Sequence, residues 1–178
     1  DKGLARNTIS SYIDVLKKLY IVENVPAWTG KIRSKIAIRT KEKLQFVDPS
    51  IACAALGLSS TALKNDLNTL GLMFESLCIR DLRIYAESLG GKVFYYRDET
   101  DLEVDAVIVL QDGSWGAVAI KLGSGFVESA SENLIKFKEK VDTEKLGEPK
   151  FLMVLVGDDC SYQMANGVYV VSIGNLKN

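Results

Sequence analysis

Residues 101–121 read DLEVDAVIVLQDGSWGAVAIK, and this stretch decides the fold. Two strand-like runs flank the turn at residues 111–113 and predict an antiparallel hairpin. Side chains two residues apart on a strand share a face, so Glu103 and Asp105 point the same way, as do Ala119 and Lys121. This pattern has two explanations: a metal-dependent phosphodiester-cleaving site, or an ordinary hairpin with charges at its rim.

The elements around the hairpin predict a mixed α/β domain. A helix is expected over residues 66–88, ended by Gly90 and Gly91, and a second helix over residues 128–141. The run at residues 150–159 is apolar and therefore predicts a central strand. The remaining strands are expected at residues 92–98, 103–110, 115–122 and 167–173. The resulting order is helix, three strands, helix, strand, strand.

The front of the chain predicts a helix followed by a two-stranded ribbon. The helix has Thr8 as its expected N-cap and extends to about Leu19, with apolar residues at helical spacing. A helix and ribbon form the second half of a winged helix-turn-helix, whose opening helices would precede residue 1. We therefore expect a partial winged helix-turn-helix at residues 1–48, a connecting segment at 49–65 and the back domain at 66–178.

The net charge of −1 conceals two oppositely charged halves. Residues 1–47 contain ten Lys or Arg and four Asp or Glu, whereas the remainder contains twelve and nineteen. A basic front favours contacts with DNA or RNA phosphates; the alternative is a packing module with solvated lysines. The candidate contacts at the helix start are Arg6, Asn7 and Thr8, and those in the wing are Lys31, Arg33, Lys35, Arg39, Lys41 and Lys43.

Composition excludes several classes of site. The chain has no histidine, and its three cysteines form no C-x-x-C pair, so zinc binding and histidine-based catalysis lack their usual residues. No apolar run is long enough to predict a transmembrane segment, and no signal peptide is recognisable. We expect a cytoplasmic protein with reduced thiols. The absence of an initial methionine suggests a segment of a longer chain.

Four stretches together carry a resemblance to a known family: NTISSYIDVLKKLYIV, GLMFESLCIRDL, YYRDETDLEVDAVI and GAVAIKLG. From about Asn7 to Val171, the chain resembles the uncharacterised C-terminal domain family of prokaryotic AAA-type ATPases. The element order also resembles the PD-(D/E)XK nuclease-like fold. The resemblance implies a restriction-endonuclease-like mixed sheet flanked by helices, and an ATPase module upstream. The phosphate-loop pattern G-x-x-x-x-G-K-[ST] is absent, so this segment should not bind ATP by itself.

The nuclease resemblance implies a site built from Glu75, Asp105 and Lys121. Phosphodiester hydrolysis needs a divalent cation held by carboxylates, and the family's second carboxylate lies two residues before the lysine. That position is Ala119 here, which leaves Mg²⁺ with Asp105 and, as the replacement ligand, Glu103. The trio is therefore expected to be a remnant that needs no cofactor, with Mg²⁺ relevant only if activity persists. The alternative is a structural ion pair between Asp105 and Lys121.

The sequence thus predicts the C-terminal, non-ATPase region of an AAA-type ATPase. We expect it to bind nucleic acid or a partner protein through a degenerate nuclease fold that does not cut. Two other functions remain open: an active Mg²⁺-dependent nuclease, and a module that docks the ATPase to another protein.

Overall fold

A computed structural model describes residues 3–30 and 41–176 of the chain. It is a mixed α/β structure whose main sheet is flanked by helices. Of the helices in these ranges, none has both the length and the apolar character needed to cross a membrane. The helices are α1 (Arg6–Lys18), α2 (Pro49–Ala55), α3 (Ser60–Asn65), α4 (Leu67–Ser88), α5 (Val127–Lys140) and α6 (Thr143–Leu146), and the strands are β1 (Val22–Val25), β2 (Lys43–Phe46), β3 (Lys92–Arg97), β4 (Glu103–Val109), β5 (Trp115–Lys121), β6 (Leu152–Val156), β7 (Tyr162–Gln163) and β8 (Tyr169–Ser172).

The main sheet has six strands in the order β3-β4-β5-β6-β8-β7. The first three form an antiparallel meander, whereas β5, β6 and β8 are parallel to one another. Parallel neighbours require a crossover, which α5 provides between β5 and β6. The predicted order of helix, three strands, helix and strand is confirmed. The two-residue strand β7 was missed because both of its residues are exposed and lack an apolar pattern.

The sheet is covered on both faces, by α4 on one and by α5 on the other. On the α4 face, Cys78, Ile79 and Leu82 of α4 pack with Ala106 of β4 and Val118 of β5. The other core contains Leu134 and Phe137 of α5 together with Tyr96, Val107 and Trp115. The central strands β5 and β6 are almost entirely buried, as expected for strands covered on both sides.

The front of the chain is joined to the main sheet through residues 26–28. The Tyr95 amide donates a hydrogen bond to the Pro26 carbonyl at 3.0 Å, and the Trp28 amide donates one to the Tyr95 carbonyl at 2.7 Å. The Trp28 ring then enters the α5-side core, while Val25 enters the α4-side core. Front and back therefore share both cores. The predicted division at residues 1–48, 49–65 and 66–178 stays a prediction.

Helix α1 differs from its prediction at the first turn. It begins at Arg6 with Ala5 as N-cap and no side-chain cap, so the predicted cap Thr8 lies inside the helix. The helix buries none of its residues, and Ile9, Tyr12 and Val15 are 44%, 57% and 51% exposed. After it, β1 and β2 pair as an antiparallel ribbon, hereafter the β1–β2 hairpin. The winged-helix and nuclease-fold assignments stay predictions.

Candidate functional site

The β4–β5 hairpin brings Asp105 and Lys121 together. The Lys121 Nζ lies 3.8 Å from Asp105 Oδ2, and the same oxygen accepts a hydrogen bond from the Ile120 amide at 2.7 Å. Asp105, Ala119 and Lys121 line a cavity of about 160 Å³, and residues of α5 form its opposite wall. The two residues paired in the sequence analysis are therefore neighbours in the fold.

The Asp105 carboxyl group is in an environment that disfavours its ionised form. Burial raises the pKa of Asp105, and the nearby Glu75 carboxylate raises it further. The Lys121 ammonium, the Ile120 amide and the Lys43 ammonium lower the pKa of Asp105 but do not reverse the shift. An additional positive charge close to Asp105 would therefore be favourable.

A lysine from the β1–β2 hairpin supplies a positive charge beside the other two acids. The Lys43 Nζ lies 2.8 Å from Glu75 Oε1 on α4 and 2.9 Å from Glu103 Oε1 on β4. Burial by itself lowers the pKa of Lys43, but the two carboxylates outweigh burial and raise the pKa. One ammonium group thus neutralises carboxylates from two different elements.

Gln45 lies two residues from Lys43 on β2 and therefore shares its face. Its amide nitrogen donates to Glu75 Oε1 at 2.9 Å, and its amide oxygen accepts from the Ser76 hydroxyl at 2.8 Å. Gln45 is only 7% exposed, so these hydrogen bonds satisfy a buried polar group. Together, Lys43 and Gln45 fix the hairpin on α4 through a hydrogen-bonded network.

A second cavity of about 600 Å³ lies between the β1–β2 hairpin and α4. Lys43, Glu75 and Arg97 line it. Glu103 lines both this cavity and the smaller one beside Asp105, so it lies at their junction. The Arg97 Nη1 is 3.6 Å from Glu103 Oε2 and adds a further positive charge.

The acids of this cleft are paired with cationic side chains of the chain itself. Glu75, Glu103 and Asp105 each lie beside a cationic side chain, and one of these cations, Arg97, also pairs with a fourth acid, Asp101, at 2.9 Å. Over residues 3–30 and 41–176, no set of three or more His, Cys, Asp or Glu side chains is arranged to hold a metal ion. The predicted ligands Asp105 and Glu103 instead contact lysines. The arrangement favours internal ion pairing over an open cation site.

The structure brings two of the predicted site residues together and places the others elsewhere. Asp105 and Lys121 meet, whereas Glu75 acts on the Asp105 pKa from a distance and is itself bonded to Lys43 and Gln45. At the start of α1, Arg6 and Asn7 are exposed and Thr8 is half-buried. The wing candidates Lys31, Arg33, Lys35 and Arg39 lie outside the described residues.

The placement of Lys43 corrects one prediction. It was expected among the wing residues that contact a nucleic-acid backbone, but its ammonium points into the cleft of the main sheet. Gln45 and Ser76 were not anticipated at all. Their partners are 30 or more residues away along the chain, so no local spacing could have identified them.

Comparison with protein-family models gives two matches that together cover most of the chain. A domain of unknown function, DUF8612, matches residues 1–62. A second domain of unknown function, DUF4143, matches residues 70–176. No curated protein and no solved structure matches the chain.

Proposed function

The chain belongs to the family of the domain of unknown function DUF4143, and on that premise we propose that it is a non-cleaving, nucleic-acid-binding region of an AAA-type ATPase. In this proposal the main sheet has a nuclease-like fold without nuclease chemistry, and the ATPase module lies upstream in the same cytoplasmic protein. The ATPase part comes from the sequence resemblance to the C-terminal family of such proteins.

One observation carries the non-cleaving part of the proposal: Lys43 lies between Glu75 and Glu103. A metal-dependent nuclease needs carboxylates that face a divalent cation with open coordination positions. Here two acids are already paired with an ammonium group, and Ala119 provides no ligand beside Lys121. Asp105 alone is too few ligands for Mg²⁺, which binds proteins weakly and retains most of its water.

Two features of the front segment support nucleic-acid binding. The first turn of α1 contains no acidic residue and has no side-chain cap, so its amides and Arg6 are available to phosphate oxygens. Residues 31–40 contain four Lys or Arg and no acid in the sequence. Such contacts neutralise phosphates without reading bases, so affinity should fall steeply with salt.

Fluorescence anisotropy with a labelled DNA duplex tests the binding. We expect affinity to fall by at least about tenfold between 50 and 200 mM salt, because phosphate-bound counterions are released on binding. Arg6→Glu should weaken binding, whereas the matched reversal Lys136→Glu, on the exposed side of α5, should not. Binding that is absent at low salt, or that does not depend on salt, would contradict the proposal.

Incubation with supercoiled DNA and Mg²⁺ or Mn²⁺ tests the absence of cleavage. The intact chain and Asp105→Ala should both leave the plasmid supercoiled. Cleavage by the intact chain that disappears in Asp105→Ala would instead establish an active nuclease and replace this proposal.

Docking of another protein is the second candidate, and the exposed apolar side of α1 favours it. Ile9, Tyr12, Val15 and Leu19 are 44–62% exposed, and an exposed apolar helix surface is typical of a protein contact. The double substitution Ile9→Ser and Tyr12→Ser distinguishes the two functions. It should leave duplex affinity unchanged under the first proposal and abolish association with the upstream module or another protein under the second.

A further inference from the structure

An apolar cavity of about 320 Å³ lies between the second half of α4 and the end of the main sheet at which β5 and β6 begin. Leu82 and Ala86 belong to its helix wall, and Ile108 and Met153 belong to its sheet wall. Lys121, in contrast, is at the other end of β5. The cavity is therefore separate from the cleft around Asp105.

Small residues keep this space open on both walls. Gly116 has no side chain, and a Cβ there would lie 2.5 Å from the Phe151 ring, so the ring forms the wall at this point. On the helix side, the buried Ala86 contributes only a methyl group. Protein interiors are normally packed with few voids larger than a water molecule. The lining atoms of this cavity therefore lack packing contacts that an apolar ligand would supply.

A positive charge lies at the rim of the cavity. Of the described residues that line it, Lys150 alone is charged, and most of the others are aliphatic or aromatic. Lys150 is exposed, and its amide donates a hydrogen bond to the Trp115 carbonyl at 2.7 Å, which fixes its position beside β5. The pKa of the nearby Asp112 is lowered chiefly by hydrogen bonds from Ser114 and in smaller part by the charge of Lys150. The ammonium group is therefore accessible to an anion.

We propose that this cavity binds a small free molecule that has an apolar body and one anionic group, with the chemistry of a medium-chain carboxylate. Apolar cavities in proteins take up apolar ligands, and about 300 Å³ is the lower end of the usual range for small-molecule sites. The apolar body contacts Leu82, Ala86 and Met153, and the anionic group faces Lys150. Binding here is independent of nucleic-acid binding by the front segment, because all the lining residues lie within residues 70–176, the range of the second family match.

Isothermal titration calorimetry with hexanoate, octanoate and decanoate, each below its micelle-forming concentration, tests the apolar part of the site. We expect one site per chain and an affinity that rises about fourfold for each added methylene, because each methylene is withdrawn from water.

The charged part of the site is tested by Lys150→Met. This change should weaken octanoate binding about two- to fivefold, the range expected for an exposed pair of charges, and should leave the affinity for neutral octanol unchanged. Lys136→Met, a matched change at an exposed lysine of α5, should leave both affinities unchanged.

Substitutions that fill the cavity show where the ligand binds. Ala86→Leu extends a larger side chain from the helix wall and should weaken decanoate binding at least about tenfold, because it takes the place of several methylenes of the ligand. Leu110→Trp fills the same space from the sheet side. Ala54→Leu, at an exposed position of α2, is the matched control and should bind decanoate as the parent protein does.

Four results would overturn the proposal. The first is a parent protein that does not bind decanoate, or that binds all three carboxylates equally well. The second is undiminished decanoate binding by whichever of Ala86→Leu and Leu110→Trp folds, as judged by circular dichroism. The third is failure of both variants to fold, which would show that the space belongs to the packed core. The fourth is pelleting with phosphatidylglycerol vesicles that Ala86→Leu abolishes, which would replace the free molecule by a membrane lipid.

Discussion

Replacing Trp28 by alanine should destabilise the whole main sheet, although Trp28 belongs to the front segment. Its side chain is 6% exposed and packs on aromatic rings of the α5-side core. The ring centroid is 5.5 Å from that of Phe137 and 5.7 Å from that of Trp115. Truncating a buried tryptophan costs about 3–5 kcal/mol, including the cavity that it leaves. Against a typical unfolding free energy of about 5–15 kcal/mol, this loss is large.

Urea unfolding followed by circular dichroism measures this loss. The chain has two tryptophans, so fluorescence of Trp28→Ala reports Trp115 alone and provides a second probe of the same core. Tyr12→Ala is the control, because Tyr12 is 57% exposed and its truncation should change the unfolding free energy by less than about 0.5 kcal/mol.

The loss of stability shows whether the front segment unfolds together with the main sheet or separately from it. A loss of unfolding free energy below about 1 kcal/mol would refute the packing argument, because truncating a buried aromatic side chain costs more than this. An unfolding curve with two separate transitions in the parent protein would also contradict it, because shared cores predict one cooperative transition.

Three further substitutions test particular contacts. Burial by itself raises the pKa of Asp98, but hydrogen bonds, first that of Lys140, lower it from 3.8 to about 2. The ionised carboxylate therefore stabilises the fold by about 2 kcal/mol above pH 4, and this stabilisation is lost as the pH falls towards 2. In urea titrations, the unfolding free energy of Asp98→Asn should depend less on pH than that of the parent protein. Gly116→Ala places a Cβ 2.5 Å from the Phe151 ring, so thermal unfolding should reveal a loss of about 1–3 kcal/mol. Gln45→Ala removes the partner of a buried hydroxyl and should cost about 1–3 kcal/mol in urea unfolding, and an unchanged midpoint would contradict the network.

The elements of the main sheet were predictable because their patterns are local. Helix α4 was expected over residues 66–88 and spans Leu67–Ser88. Its start is fixed by Asp66, whose carboxylate accepts a hydrogen bond from the Thr69 amide at 3.1 Å. Gly90 lies just after the end of the helix and adopts a positive φ of 71°, which glycine tolerates without strain.

The candidate site was predictable only where its residues lie on adjacent strands. Asp105 and Lys121 meet because the turn at residues 111–113 sets the pairing of β4 with β5, and this turn can be predicted from the sequence. Lys43 reaches Glu103 across 60 residues, and Trp28 enters a core formed by strands and a helix far along the chain. Such contacts depend on how the front segment folds back, which local periodicity does not encode.

Residues 26–28 also determine how the main sheet behaves towards other copies of itself. An exposed edge strand has unpaired amides and carbonyls that can pair with a β-strand of another chain and so start aggregation. At one edge, Ala27 forms a bridge with Tyr95 and occupies part of β3, and at the other edge β7 offers only two residues. A truncated chain that begins after residue 30 would uncover β3, and should be more prone to fibrillar self-association than the intact chain.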